Sequence, residues 1–199
     1  MEESNKLRVL VVDDEPTLRL GFAYALTNRL TSVETASTGT LALERIAARK
    51  FDIVILDLRM PELDGMGVIE ALRGQGNNIP IVLCSAVLNP KSALKAIRHG
   101  VVDFLLKPVK PADLRQAINF VVHPERHCLP LALKAARTGK SSEAIRILEA
   151  ETSPNIQAAF WLKIFKSIRD SDAQGDGALL EEEVRSGLTI LAFNSPLAQ

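Results

Sequence analysis

This chain of 199 residues is short of several things, and each shortage closes off a class of protein. It has two cysteines, Cys84 and Cys128, too few for the disulfide framework of a small secreted domain, and they fit a reduced, cytoplasmic compartment. No apolar run approaches the roughly 18–20 residues that span a membrane. The first residues, Met1 to Lys6, are acidic and polar where a leader would be basic and then apolar, so no signal peptide is expected. Neither sign of charge is in excess: Lys plus Arg is 24 and Asp plus Glu is 24. That argues against a protein held on nucleic acid or membrane by net charge alone. Low-complexity segments are also missing. What is present is 47% apolar and 24% charged, enough to build a core and to exclude disorder as the main state. The length suits one large domain, or an ordinary domain with a small one attached.

The first 122 residues alternate between two patterns. Apolar, β-branched runs fall at Leu7–Val12, Val33–Ala36, Asp52–Leu56, Ile79–Cys84 and Val102–Leu106. Helical spacing occupies about 16–29, 39–49, 65–73, 90–99 and 111–122, with Pro16, Pro90 and Pro111 suited to first helical turns. Five strands alternating with five helices predict an α/β fold: a doubly wound, five-stranded parallel sheet covered on both faces. The unbroken apolar character of Leu7–Val12 and Ile53–Leu56 agrees with strands buried on both sides.

In such a sheet ligands bind beyond the carboxyl ends of the strands. The first strand ends in Asp13-Asp14-Glu15, the third at Asp57, the fourth at Ser85 and the fifth at Lys107-Pro108. Three carboxylates gathered at one edge repel one another unless a cation neutralises them, and all-oxygen ligands suit a hard ion such as Mg²⁺. A carboxylate beside such an ion can take a phosphoryl group as an aspartyl phosphate. A hydroxyl and an ammonium on neighbouring strand ends would then hold the phosphoryl oxygens.

These residues, together with Ile55-Leu56-Asp57-Leu58-Arg59-Met60-Pro61-Glu62-Leu63-Asp64-Gly65 and Phe104-Leu105-Leu106-Lys107-Pro108, resemble the receiver domain of two-component response regulators over about 6–122. The resemblance implies a flavodoxin-like fold and a phosphoacceptor at Asp57. It implies Mg²⁺ bound directly by Asp14, supported by Asp13 and by the backbone carbonyl of Arg59, with Asp57 as a further ligand. Ser85 and Lys107 would bind the phosphoryl group, and Phe104 would be the aromatic that repacks when Ser85 moves. Lys107-Pro108 would be a cis peptide. Ser85 stands where Thr is frequent and keeps the hydroxyl; Phe104 stands where Tyr is frequent and lacks the phenolic OH. Gly65 is expected at a turn that a Cβ would obstruct. Glu15 is read as a helix cap or an electrostatic contributor. The donor implied is a sensor histidine kinase or a phosphotransfer protein. The face formed by the fourth helix, fifth strand and fifth helix is implied to dock a partner or a second copy of the chain. The activity implied is that of a signalling switch, with phosphotransfer and autodephosphorylation at Asp57 and no other enzymatic function.

The remaining residues, 123–199, carry no strand pattern and read as an α-helical output or interaction region, with helices near 129–138, 141–151, 155–169 and 178–193. No sequence run here matches the family's cyclase, phosphodiesterase or hydrolase outputs. DNA binding, the alternative output, would call for a basic recognition helix, whereas 156–162 is apolar and residues 124–199 hold 9 basic against 10 acidic side chains. Residues 131–151 resemble one helix pair of a tetratricopeptide-type repeat, with Gly139 at the turn, Ala144 at the helix contact and Pro154 closing; a generic helical hairpin satisfies the same pattern. Both point to a downstream protein partner. Residues 170–181 place Asp170, Asp172, Gly175 and Glu181 as in a calcium-binding loop but depart from it at Gln174 and Gly177, and read better as a polar helix connection. Trp161 and Phe160 are expected in the core of the tail.

Overall fold

The computed structural model describes residues 6–86, 92, 95–96, 98–123, 128, 131–132, 135, 140–150, 161–163, 165–166 and 169. Five strands, β1 (Leu7–Val12), β2 (Thr31–Ala36), β3 (Ile53–Asp57), β4 (Ile81–Ser85) and β5 (Asp103–Leu106), form one sheet in the order β2-β1-β3-β4-β5. Every pairing is parallel. Between them run α1 (Pro16–Leu26), α2 (Gly39–Ala48) and α3 (Gly65–Gly74), then helical residues within 92–98 (α4), and after β5 the helix α5 (Pro111–Val122). This is the expected flavodoxin-like arrangement. Its strand order reverses between β1 and β3, which opens a crevice at their carboxyl ends.

The core lies in the central strands. Successive residues Val9, Leu10 and Val11 of β1, Ile53 and Val54 of β3, and Ile81 and Val82 of β4 are all fully buried. Burial of adjacent residues, whose side chains point to opposite faces, means that both faces of the sheet are covered. The edge strand β2 is different. It begins at Thr31, two residues before the expected Val33, and only its two end residues are buried. A half-covered edge accepts Ser32 and Glu34, so the polar start of β2 carries no hydrophobic signal. Glu34 there meets Arg45 of α2 and Arg49, the residue that follows it, at 3.2 and 2.9 Å.

Other boundaries shift for local reasons. β4 begins at Ile81 rather than Ile79, because Pro80 has no N–H for the ladder, although its carbonyl still accepts from Val54 at 2.9 Å. Helix α1 stops at Leu26, three residues before the expected end. There the Thr27 hydroxyl donates back to the Ala23 carbonyl and the Asn28 side chain accepts from the Leu30 N–H at 2.7 Å. Pro16 occupies the first turn of α1, and Thr38 and Asp64 cap α2 and α3 by accepting from Leu41 and Gly67 N–H groups. Past α3, the guanidinium of Arg73 donates to three main-chain carbonyls, those of Asn77 (2.7 Å), Ile79 (3.1 Å) and His99 (2.8 Å).

By its internal contacts the chain divides into two compact units. One comprises Met1–Ala86 with His99–Ile118, the other Val87–Arg98 with Asn119–Gln199. In the second unit, helical residues at 128, 131, 132 and 135 (α6) precede α7 (Ser141–Glu149), and residues 161–163, 165–166 and 169 are helical (α8). Ala144, Ile145 and Leu148 form the buried stripe of α7. Trp161 is buried as expected, with its ring centroid 5.6 Å from that of the buried Phe165; Phe160, also expected in the tail core, lies outside the described residues, and Lys166 pairs with Glu149 at 2.8 Å. Pro90, the helix expected at 178–193 and the loop at 170–181 lie outside the described residues.

Candidate functional site

Four of the five strand ends, those of β1, β3, β4 and β5, contribute side chains to the crevice. Asp13 directly follows β1 and is tied to the sheet by its N–H, which donates to the Ala36 carbonyl at 3.2 Å. Asp57 is the last residue of β3, paired in register with Cys84 of β4. Ser85 ends β4 opposite Leu106, and Lys107, next after β5, donates its N–H to the Ser85 carbonyl at 2.9 Å. Lys107-Pro108 is a cis peptide. Parallel register thus gathers residues separated by up to 94 positions of sequence, which the alternating pattern anticipates.

The carboxylates of Asp13, Asp14 and Asp57 each present an oxygen within 4.8 Å of the others. Lys107 sits between two of them, its Nζ 2.8 Å from Asp13 Oδ2 and 2.8 Å from Asp57 Oδ2. Asp13 and Asp57 are buried and Asp14 is exposed. Asp57 Oδ1 accepts from the Arg59 N–H at 3.3 Å, so the exposed Arg59 turns its main chain toward the site. Asp13 Oδ1 accepts from the Glu15 N–H at 2.9 Å. Glu15 stands at the cap position of α1 but its side chain makes no cap hydrogen bond, so the cap reading fails there and Pro16 starts the helix. The Asp14 carboxylate has no partner among the described residues.

The electrostatics follow from burial against pairing. Burial pushes the Asp57 carboxyl above the usual carboxylate range; the Lys107 ammonium and the Arg59 N–H pull it back without cancelling the rise, and Asp13 adds to it. For Lys107, burial alone would lower the ammonium, but its close approach and charge attraction to Asp13 and Asp57 outweigh that and raise it. Burial pushes the Cys84 thiol far up, so it stays protonated and inert beside the site.

One buried atom tests whether a cation fits. Asp13 Oδ2 has no well-directed hydrogen bond, only the ion-pair approach of Lys107. An under-bonded buried carboxylate oxygen, an unpartnered exposed carboxylate at Asp14 and a third carboxylate within reach form an all-oxygen donor set that suits a small hard cation.

The surrounding loop is shaped for this. A Cβ on Gly65 would strike the carbonyl oxygen of Asp57 and come within 2.9 Å of Leu58 Cα, so the obstructed turn expected at Gly65 is present. Glu62 adopts φ +66°, the left-handed region, within the same turn. Phe104 is buried on β5, opposite Leu83 in register. One residue escaped the sequence reading: Arg19 donates from Nη1 to the main-chain carbonyls of Asp13 (2.7 Å) and Asp14 (3.3 Å). The signal was available, since side chains on a helix lean toward its N-terminus and Arg19 lies in the first turn of α1.

The sequence matches the family model of the response regulator receiver domain over residues 9–119. It is 32% identical over 189 residues to the positive alginate biosynthesis regulatory protein of Pseudomonas aeruginosa, covering 90% of this chain and 75% of that protein. It is 36% identical over 123 residues to the two-component response regulator ORR26 of Oryza sativa, covering 61% of this chain but only 21% of the plant protein. Among solved structures, the chemotaxis protein CheY4 of Vibrio cholerae superposes with a TM-score of 0.55 at 29% identity, covering 58% of this chain and 98% of that one. The receiver domain of the Francisella response regulator 1452 gives 0.56 at 26% identity, covering 60% and 99%.

Proposed function

This chain belongs to the response regulator receiver domain family, and we propose that it is a phosphorylation-dependent switch that accepts a phosphoryl group on Asp57 and passes the change to its helical C-terminal region. The observation that carries this reading is Lys107 Nζ held at 2.8 Å from both Asp13 and Asp57 at the carboxyl edge of the sheet. We assign the receiver to 6–122 and the output region to 123–199.

Asp13, Asp14, Asp57 and the Arg59 carbonyl would hold Mg²⁺, which when bound neutralises charge on the phosphoryl oxygens. The chain's own residues do the rest. An Asp57 carboxylate oxygen attacks phosphorus, the O–P bond forms, and the bond from phosphorus to the donor's nitrogen breaks, returning its electron pair to the donor. The donor is a phosphohistidine of a sensor kinase or of a phosphotransfer protein. Lys107, already on Asp57 Oδ2, follows the new negative charge onto the phosphoryl oxygens. The Ser85 hydroxyl is the second donor to the phosphoryl group, and its movement lets Phe104 repack on β5, biasing a two-state equilibrium. The switched surface serves a partner or a second copy of the chain.

The output is read as protein binding. Burial of Ala132 and Ala135 on α6 and of Ala144 on α7 supports a packed helix pair over 131–151, which the tetratricopeptide-type reading and a generic helical hairpin share. A second reading, a transcriptional regulator with an atypical helical DNA-binding output, draws on one observation: the match to the alginate regulatory protein spans 90% of this chain and therefore runs beyond the receiver.

Acetyl phosphate with Mg²⁺ should add one phosphoryl mass to the full chain, and Asp57→Asn should abolish it; an unchanged adduct in Asp57→Asn would refute the assignment. A pull-down with and without beryllofluoride, with parallel nuclease treatment, separates the two outputs. Nuclease-resistant protein partners support the adaptor, and specific DNA lost on nuclease treatment supports the regulator.

A further inference from the structure

We infer that Arg19 is a positioning residue for the cation site, fixing the main chain that aims Asp14. The inference rests on the reading of Asp13 and Asp14 as cation-holding residues. A single nitrogen, Arg19 Nη1, bonds both carbonyls in succession, at 2.7 Å to Asp13 and 3.3 Å to Asp14. The two aspartates need this unequally. The Asp13 carboxylate is already held on one oxygen by the Glu15 N–H and on the other by Lys107. The Asp14 carboxylate is exposed and makes no hydrogen bond or ion pair with a described side chain, so its backbone sets its direction. Arg19 grips both peptide planes that flank the Asp14 Cα, more closely the one that carries the Asp13 carbonyl. Arg19 in turn is anchored in α1, its own N–H donating to the Glu15 carbonyl at 3.0 Å. The guanidinium therefore spans the turn from β1 to α1 as a brace.

Charge and geometry make opposite predictions here, which is what makes the role testable. A guanidinium so close to a divalent cation repels it, so charge alone says that removing Arg19 tightens binding. A brace says that removing it loosens binding, because Asp14 must then be ordered by the ion itself. Arg19→Met removes the charge and the brace. Arg19→Lys keeps the charge and loses the planar fork.

The experiment is calorimetric titration of MgCl₂ into the full chain, alongside thermal melts in EDTA. The brace predicts that Arg19→Lys weakens Mg²⁺ binding about tenfold, the usual scale for a group that orients a ligand. It predicts a smaller weakening in Arg19→Met, where lost repulsion offsets part of the loss. Melting in EDTA should stay within a few degrees of the parent chain, since one of the two bonds is exposed and the other only half-buried. Unchanged affinity in Arg19→Lys, or tighter binding in Arg19→Met, overturns the inference. A parent chain that binds Mg²⁺ and loses it in Asp14→Asn, while both Arg19 variants bind normally, overturns this inference alone. A parent chain that binds none overturns the cation reading with it.

Discussion

Lys107 and Asp57 are 50 residues apart in sequence and meet at 2.8 Å, ammonium to carboxylate, in a crevice that leaves each of them little exposed. The same ammonium reaches Asp13 at the same distance. One cation thus stands in for the neutralisation that two buried carboxylates require, and much of the site's behaviour follows from what happens when it is removed or outcompeted.

Replacing Lys107 with Met should leave Asp13 and Asp57 facing each other unpaired. Breaking a buried ion pair from one side costs about 3 kcal/mol. Urea denaturation in EDTA should register that loss, and saturating Mg²⁺ should recover part of it by supplying the missing positive charge. A variant as stable as the parent chain in EDTA would mean that the ammonium contributes nothing to folding.

The raised Asp57 carboxyl fixes the sign of a pH effect. The native state holds that proton more tightly than the unfolded chain does. Its stabilising contribution is complete below the unfolded value of about 4 and is lost as pH rises through the higher folded value. In EDTA, Asp57→Asn should therefore gain stability relative to the parent chain as pH rises above the ordinary carboxylate value. Lys107, also raised, contributes stability below the ordinary lysine value, and that is lost as pH climbs through its folded value. Denaturation midpoints across both ranges check the two signs.

Mg²⁺ should raise the melting midpoint in a saturable way, by about 2.7 kcal/mol of stability at a hundredfold excess over Kd. EDTA should reverse it. Asp14→Asn should remove most of the effect while leaving the melt in EDTA nearly unchanged, because the Asp14 side chain bonds no described residue.

Two glycines should respond in opposite directions to alanine. Gly65→Ala forces a Cβ onto the backbone of Asp57 and Leu58 and should cost about 2–3 kcal/mol, with slower phosphorylation as Asp57 shifts. Gly21 lies within α1 with nothing near its missing Cβ, and Gly21→Ala should gain about 0.8 kcal/mol. Chemical denaturation of both variants gives the comparison.

The single tryptophan, Trp161, is 1% exposed and sits in the second unit. Its emission should lie on the blue side and shift red as that unit unfolds. Far-UV circular dichroism reports both units, so transitions that fail to coincide would show the two melting separately.

The sheet was readable from the sequence wherever strands are buried on both faces, because unbroken runs such as Ile53–Leu56 admit few other structures. It was least readable at β2, where a half-exposed edge permits Thr31, Ser32 and Glu34. The convergence of Asp13, Asp57, Ser85 and Lys107 was legible because each ends or directly follows a strand and strand ends share one edge. The double pairing of Lys107 was not, since no pattern says which of several carboxylates a flexible ammonium will choose. Arg19 and Arg73 were missed for a related reason: both bond main-chain carbonyls, which a sequence does not mark, so the N-terminal lean of a helix side chain at Arg19 gave a direction without a visible acceptor.

Arg73 has a consequence for how this chain can vary in length. Surface loops ordinarily accept insertions at little thermodynamic cost. Here one guanidinium closes the connection from α3 to β4, through Asn77 and Ile79, and also holds His99 just ahead of β5. Lengthening either segment would draw its carbonyl off the shared donor and leave the other without its full set of bonds. The two segments thus share one donor, and a residue gained in either is felt by both.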